Sequence, residues 1–507
     1  MINLKFIVLI FAYLICHTQS FSQNHWSKLY DIAKASDAGW KLISVGEYYY
    51  IMAANICSPN SNFCTGLIKI DQQGNVIWKQ IIDSISPSTL NCMVTDGNFL
   101  FLGVTHDNEF LYNFRLLKFD LNGNLIKEKI YPNYPVQRFI RTISFNKNKI
   151  YANILYWHDP FKSGNDSAQI WTFDTDFNEI SKFSHTDKNF YETLFNFEAT
   201  QDGYFLSTKA YSKDEFWGSA KLINFDSLGR KKWDAILPET LEELYYQFPR
   251  VAITPDTGSV VCWMQQREYR YRDTSEFSPI LYKYDRNGNL QWSRVYYALR
   301  EQIIYNLFVT DNGDIITLGK DDNPGRYSPN FRSTGWVTRV SPDGIVKWDR
   351  RIEDYRDLTT SRFYSGVEAK NGDLILCGSL VSFSEDSTYA SADAWVLRID
   401  SNGCYNGYCD TFAVISGLKE IEENGDKEKV YNIYPNPAKD YFYVLSKEDI
   451  PQYTELVLYN SSGKFVTNRP IYSREEKIHL ENYPKGIYYY RIKVRDKTTQ
   501  IGKLIVI

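Results

Sequence analysis

Histidine is scarce in this chain. Six are present in 507 residues, and His25, His106, His158, His185 and His479 follow the first 22 positions. Acid–base or nucleophilic catalysis needs a second group within hydrogen-bond reach of such a side chain. No H-E-x-x-H, G-x-S-x-G or glycine-rich phosphate loop surrounds any of the five. His158 and Asp159, in the segment YWHDPF, are the best single candidate for chemistry. With no nucleophile to set beside them they read as a polar loop contact. Asp174, Asp176 and Asn178 give D-x-D-x-N, the opening of a calcium loop. The glycine and the distal glutamate of that loop are missing, so a turn role is expected instead. With 61 acidic residues, two converging carboxylates that serve a hydrolase or lyase would not show in the sequence. No cofactor or metal set is found and no catalytic residue is assigned.

The cysteines point the same way. Cys57 and Cys64 are seven apart and Cys404 and Cys409 five apart, spacings that suit two local disulfides in an oxidising compartment. Cys92, Cys262 and Cys377 stand in apolar β segments and read as small buried hydrophobes. No C-x-x-C pair supports zinc.

The elements that carry these residues repeat. Segments beginning at Leu67, Leu116, Ile170, Leu222, Leu281, Val337 and Val396 superimpose without gaps, the first being LIKIDQQGNVIW. Asp stands at one fixed position: Asp71, Asp120, Asp174, Asp226, Asp285 and Asp400, with Ser341 in the sixth copy. Gly follows three residues later at Gly74, Gly123, Gly229, Gly288, Gly344 and Gly403, and Phe177 replaces it in the third copy. Asp caps a tight turn and Gly supplies positive φ, which is hairpin chemistry. A second hairpin lies upstream of each, so every repeat predicts a four-stranded antiparallel sheet. Seven such units spaced 49 to 59 residues apart make a β-propeller, with a solenoid as runner-up.

Trp occurs seven residues after the Asp position at Trp78, Trp233, Trp292 and Trp348, while repeats two and three have Lys127 and Ser181. An aromatic column at one repeat position is expected to pack between blades. The seventh copy breaks into Cys404 to Cys409 before an outer strand can form. Residues 24–30, with Trp26 in the Trp column, are expected to supply that strand and close the ring. Loops 265–279, 320–335 and 381–394 are rich in Tyr, Arg, Asp and Ser, a binding-surface composition.

An aromatic fraction of 16% suits pleated surfaces, so the chain is read as all-β. Net charge is −4 with no long basic run, which argues against nucleic acid and anionic membrane as partners. Residues 1–22 carry Lys5, an apolar run from Phe6 to Ile15 and Ser20-Phe21-Ser22, the pattern of a secretory signal peptide. Ten apolar residues are half of what a bilayer core needs, and no later stretch spans one. Ile15 before Cys16 departs from a lipobox. The expected organisation is a propeller over 23–410, a charged linker over 411–430 and a β-sandwich over 431–507.

Two resemblances follow from these residues. The Asp, Gly and Trp pattern resembles the tryptophan-docked blades of PQQ-like propellers, which have one more residue between Asp and Gly; it implies architecture, not the quinone site. The tail resembles the type A sorting domain of Bacteroidota type IX secretion cargo. Pro435, Asn436, Pro437 and Asp440, then Gly463, then Gly486 and Tyr488, then Lys503 carry that likeness, with Asn460 where relatives often have Asp. It implies passage through the periplasm, recognition of the tail by the secretion machinery, its removal, and a body released or held on the outer surface. The fold expected is therefore a seven-bladed β-propeller followed by a small C-terminal β-sandwich sorting domain. The body is read as a non-catalytic module for an extracellular protein or glycan, the alternative being a propeller hydrolase or lyase acting on polysaccharide or peptide.

Overall fold

A computed structural model describes residues 25–31, 37–56, 63–82, 92–108, 111–131, 137–157, 168–185, 187, 190–212, 218–237, 249–267, 276–296, 302–322, 333–354, 359–383, 390–405, 409, 412–414, 430–451, 454–460, 465–480, 483–494 and 497–507. The leader 1–22, His158, Asp159, Cys57 and Gly463 lie outside them.

Seven sheets succeed one another along the chain. Blade 1 holds Asp37–Val45, Tyr48–Ile56, Phe63–Ile70 and Val76–Ile82. Blade 2 holds Met93–Thr95, Phe99–Asn108, Leu111–Asp120 and Leu125–Tyr131, and blade 3 Gln137–Asn146, Lys149–Trp157, Ala168–Asp174 and Glu179–His185. Blade 4 follows with Phe190–Thr200, Gly203–Ser212, Gly218–Asp226 and Lys231–Ile236, and blade 5 with Arg250–Ile253, Ser259–Arg267, Glu276–Tyr284 and Leu290–Val295. Blade 6 is built from Gln302–Val309, Ile315–Asp322, Ser333–Val340 and Val346–Asp354. Blade 7 takes Thr359–Glu368, Leu374–Phe383 and Ala390–Ile399 in sequence order, and its outer strand is Trp26–Tyr30 from the other end of the chain. That strand runs antiparallel to the third, from Trp26 opposite Arg398 to Tyr30 opposite Ala394. The architecture is a seven-bladed β-propeller.

Burial follows position in the blade. Ser333–Val340, third of four, is buried at every residue because neighbouring blades cover both its faces. Val76–Ile82, an outer strand, alternates exposed and half-buried. The turns use the Asp as expected of hairpin chemistry. Asp71 Oδ1 accepts from the backbone N–H groups of Gln73 and Asn75 at 2.9 and 2.7 Å, and Gly74, at φ 74°, donates to the Asp71 carbonyl. Asp174 does the same: Oδ1 accepts from Asp176 and Asn178 N–H, and Oδ2 from the Asn178 amide. Both oxygens of this calcium candidate are engaged by its own turn.

Trp from one blade docks on the turn of the next. Trp26, Trp78, Trp233, Trp292 and Trp348 donate Nε1–H to the carbonyls of Gln72, Leu121, Arg286, Pro342 and Ser401, each one residue past the Asp position. Their rings lie flat over Gly74, Gly123, Gly288, Gly344 and Gly403, where a Cβ would come within 2.7 to 3.2 Å of ring carbons. Repeat three solves the same packing differently. Phe183, not Ser181, meets Gly229; it lies two residues on, hence on the same strand face. Between blades 2 and 3 neither Trp nor Gly is present. Phe177, at φ 63°, is fully buried against Phe101 and fills the gap from the opposite side, while Lys129 Nζ and the Tyr131 hydroxyl donate to its carbonyl.

One boundary differs from the sequence reading. Phe412–Val414, assigned there to the linker, adds parallel to Val346–Asp354 as a fifth strand of blade 6. An outer strand leaves one row of backbone donors and acceptors open, and these three residues pair with it. Cys404 and Cys409 are disulfide-bonded just before, and Cys64 is disulfide-bonded as well.

The tail is a β-sandwich. One sheet contains Tyr431–Tyr434, Tyr441–Ser446 and Glu475–His479; the other contains Phe465–Pro470, Thr454–Asn460, Gly486–Val494 and Lys497–Val506. Phe442, Val444, Leu456, Leu458, Ile492 and Leu504 form its core. No described helix is long and apolar enough to cross a membrane.

Candidate functional site at the ring axis

The first strand of each blade lies innermost, so these seven strands surround the axis. Five of them are interrupted at one level by a bulge, at Trp40, Arg141, Phe195, Tyr305 and Tyr364. A bulge frees its backbone from the ladder and redirects its side chain. The freed groups are satisfied from the preceding blade. Cys92 Sγ reaches the Arg141 carbonyl, Arg250 Nε donates to Tyr305 O at 2.9 Å, and the Asn306 amide donates to Tyr364 O at 3.0 Å. Next to the bulges, Asn196 Oδ1 accepts from Val251 N–H and Ser365 Oγ from Leu42 N–H. Asn196, Asn306 and Ser365 each stand one residue past the bulge of their own strand. The axis is therefore belted by side-chain bonds between blades.

Rings meet inside this belt. Tyr364 contacts Tyr305 with centroids 5.1 Å apart and Trp40 at 6.1 Å, joining blades 6, 7 and 1. Blades 1, 3, 4 and 5 contribute charged side chains. Lys41 follows the bulge of blade 1, and its ammonium is pushed below the usual range by burial, against the attraction of Glu198. Burial raises the Glu198 carboxyl to about 7, with Lys41 pulling it back. Burial lowers Arg250 to about 10, and lowers Lys209 to about 8 with help from the nearby Arg141. Among the described residues, the inner strands of blades 1, 4 and 5 thus carry the ionisable groups Lys41, Glu198 and Arg250, with Lys209 and Arg141 near one another.

The two faces of the ring differ. Turns of two to five residues join first to second and third to fourth strands, as at 46–47 and 71–75. The longer connections, including 158–167, 268–275, 323–332 and 384–389, all leave from the opposite ends of the strands. The candidate His158 and Asp159 belong to that set and lie outside the described residues.

A second charged cluster sits between blades 3 and 4. Lys221 Nζ is 2.6 Å from Asp187, 3.2 Å from Glu192 and 3.0 Å from Asp234, and His185 Nε2 is 2.6 Å from Glu192. These carboxylates hold the Lys221 ammonium well above its usual range, overcoming its burial. The cluster fastens one blade to the next. The three cysteines read as buried hydrophobes, Cys92, Cys262 and Cys377, are buried and outside the disulfides, and burial raises Cys262 to about 11. None of the axial side chains was legible as a site in the sequence. The only signal was a Trp, Arg, Phe or Tyr five or six residues before the first hairpin turn of blades 1, 3, 4, 6 and 7.

Comparison with known proteins assigns the tail. Residues 432–507 match the protein family described as "Secretion system C-terminal sorting domain". Beta-agarase A of Zobellia galactanivorans is 29% identical over 113 residues, which is 22% of this chain and 18% of that protein. The match thus spans under a fifth of that relative's length. Among solved structures, the β-propeller domain of the Trilobed protease from Pyrococcus furiosus is 12% identical, with TM-score 0.40 over 75% of this chain and 97% of that one. PorZ, a surface component of the type IX secretion system of Porphyromonas gingivalis, is 9% identical with TM-score 0.25 over 95% and 99%. A PL25 ulvan lyase is 9% identical with TM-score 0.43 over 72% and 95%. The chain is a type IX secretion cargo, exported to the cell surface or secreted by its C-terminal sorting domain.

Proposed function

We propose that the exported propeller is a binding module for an acidic extracellular polysaccharide, taken at the axis from the face of the long connections. One observation carries the reading: Trp40, Tyr305 and Tyr364 form a contiguous row of rings on the inner strands of blades 1, 6 and 7, and Lys41, Arg141 and Arg250 stand on the inner strands of blades 1, 3 and 5. Sugar rings stack on such walls, and carboxylate or sulfate groups are attracted by the cations. The test is binding of uronate-containing, sulfated and neutral polysaccharides to the full exported chain. Acidic chains should bind, weaken with salt, and lose about tenfold in affinity on Trp40→Ala, a loss worth ~1.4 kcal/mol. Equal binding of neutral and acidic chains would refute the reading, and binding only to an acidic protein would replace its ligand.

A second reading rests on Glu198, whose carboxyl at about 7 is poised for proton transfer. In that reading the propeller is a lyase: Glu198 takes the C5 proton of a uronate whose carboxylate is neutralised by Arg250, the electron pair forms the C4–C5 double bond as the C4–O bond to the next sugar breaks, and water protonates the departing oxygen. Unsaturated product from uronate-containing polysaccharide, lost in Glu198→Gln, separates lyase from binder. In both readings the sorting tail, residues 431–507, is removed after export. Intact tail on released protein, found by mass spectrometry, would contradict that.

A further inference from the structure

Two of the residues that mark the tail as a sorting domain, Asn436 and Tyr488, have their polar groups engaged within it. Asn436 Nδ2 donates to Lys503 O at 2.7 Å, and its Oδ1 accepts from Ile505 N–H at 2.8 Å. Ala438 N–H donates to Ile505 O, and Ile507 N–H returns to Ala438 O. The Tyr488 hydroxyl donates to Pro484 O at 2.7 Å, and its side chain is buried. These contacts clamp the last strand to the turn at Pro435 to Ala438. Tyr488 is buried, and the amide of the exposed Asn436 is spent on both sides within the domain, so these two residues hold the sandwich in shape and a partner has a neighbouring surface to read.

The outer face of the three-stranded sheet is such a surface. Tyr431, Ile433, Phe442, Val444 and Ile478 point into the core, so Tyr434, Tyr441, Tyr443, Glu475, Lys477 and His479 point outward. Outward positions of a sandwich are ordinarily polar. Here the rings are contiguous: Tyr434 stacks on Tyr443 at 5.4 Å, Tyr441 meets Tyr443 at 5.5 Å, and His479 lies 6.4 Å from Tyr441. Tyr434 and Tyr441 are 41% and 37% exposed, a large apolar cost for a small domain unless something covers them. Lys477 Nζ stands 3.9 Å over the Tyr441 ring, and the Tyr434 hydroxyl donates to Glu475. The whole tail is cationic, with twelve Lys and Arg against eight Asp and Glu in 431–507, whereas the full chain is net −4.

We propose that this tyrosine and lysine face is where the tail docks on a protein of the secretion machinery, against a patch that sets carboxylates among apolar side chains. The proposal rests on the tail acting as an export signal. Aromatic rings desolvate well at the centre of an interface, and Lys477 supplies the charge that selects an acidic partner.

The experiment follows the full chain in the producing bacterium, as the ratio of periplasmic to extracellular protein. Four variants are compared with wild type: Lys477→Glu; Tyr441→Ser with Tyr443→Ser; deletion of 431–507; and Arg469→Glu, a matched charge reversal on the exposed edge of the other sheet. The two face variants should raise the ratio at least tenfold, Arg469→Glu should leave it unchanged, and the melting midpoints of the purified substituted chains should match wild type. Normal export of the deletion would sink the export reading itself. Blocked export of the deletion with normal export of both face variants would sink only the docking face. Equal impairment by Arg469→Glu would also overturn the proposal, as would a defect in the tyrosine variant alone accompanied by a lost midpoint. Normal export with lost retention on surface polysaccharide would make the face a carbohydrate platform instead.

Discussion

Substituting Trp26 by Ala should weaken the entire propeller, because this side chain fastens the last blade to the first. Its ring covers Gly74 with carbon contacts that would lie 2.9 Å from a Cβ, its Nε1–H donates to Gln72 O at 2.9 Å, and its strand pairs with Ala390–Ile399 over five residues. Full burial of a Trp removes roughly 150–250 Å² from water, about 4–6 kcal/mol at 25 cal/mol per Å². Trp26 is half-buried and the unfolded chain already hides some apolar surface, so about 2–3 kcal/mol is the appropriate share. The lost hydrogen bond adds roughly 0.5–1.5 kcal/mol. A total near 3 kcal/mol is a large part of the ~5–15 kcal/mol that keeps a domain folded. Trp292→Ala, which removes the equivalent contact between blades 5 and 6, should cost a similar amount. Only Trp26→Ala should also expose the edge of Ala390–Ile399 and raise proteolysis there, since Trp26–Tyr30 is what covers that edge. Equilibrium urea unfolding with limited proteolysis is the assay. An unchanged midpoint, or cleavage no faster in 390–399 than for Trp292→Ala, would refute closure of the ring by this strand.

Gly403→Ala and Gly46→Ala share a positive φ, at 73° and 61°, but only the first would press a Cβ to 2.8 Å from a Trp ring. Gly46→Ala should cost about 1 kcal/mol and Gly403→Ala about 3 kcal/mol in denaturant unfolding, the difference being displaced Trp348. Removing the Tyr30 hydroxyl, which donates to Gly74 O at 2.7 Å in a buried position, should cost about 1 kcal/mol in Tyr30→Phe by the same measurement. Glu198 is raised in the folded state to about 7, so the fold favours its protonated form. That contribution is complete below the unfolded carboxyl value and is lost as pH rises through about 7. Wild-type stability should therefore fall between pH 5 and 8 by on the order of 2 kcal/mol, and Glu198→Gln should flatten that fall in thermal melts across the range.

The repeat, its hairpins and the sorting tail were legible because each depends on short-range chemistry. Asp71 and Gly74 close a turn of their own residues, and so the signal survives without knowledge of any neighbour. What depended on another blade was read less well. Phe183 takes the docking role that spacing gave to Ser181, because a strand presents the same face every second residue and the partner selects which one is used. Phe177 looked like a lost glycine, whereas it occupies the volume that the missing Trp of repeat two would have filled. The strand Phe412–Val414 has no pattern of its own, and backbone pairing with blade 6 defines it. The axial bulges were invisible for the same reason: a bulge is a mismatch of register between two strands, and one sequence position does not encode it.

That distinction bears on where function sits. The outer docking belt joins blades by apolar contact and one indole hydrogen bond, and it tolerates exchange of Trp for Phe so long as volume is kept. The axial belt is made instead of polar side chains bonded to carbonyls that the bulges set free, as Arg250 is to Tyr305 and Asn306 to Tyr364. Such a belt fixes the geometry of the bulged residues from behind. Trp40, Tyr305 and Tyr364 are then held as a preformed wall, and a ligand arriving there need not bear the cost of ordering it. A closed ring is the condition for this, because the bond from Leu42 N–H to Ser365 Oγ crosses the same junction that Trp26 fastens. Loosening the N-terminal strand should therefore disturb the axial wall between blades 7 and 1 before it disturbs the wall between blades 6 and 7. The fluorine resonance of 5-fluorotryptophan at position 40, assigned by its loss in Trp40→Phe, should report the first, and those of 3-fluorotyrosine at Tyr305 and Tyr364, assigned by Tyr→Phe variants, the second.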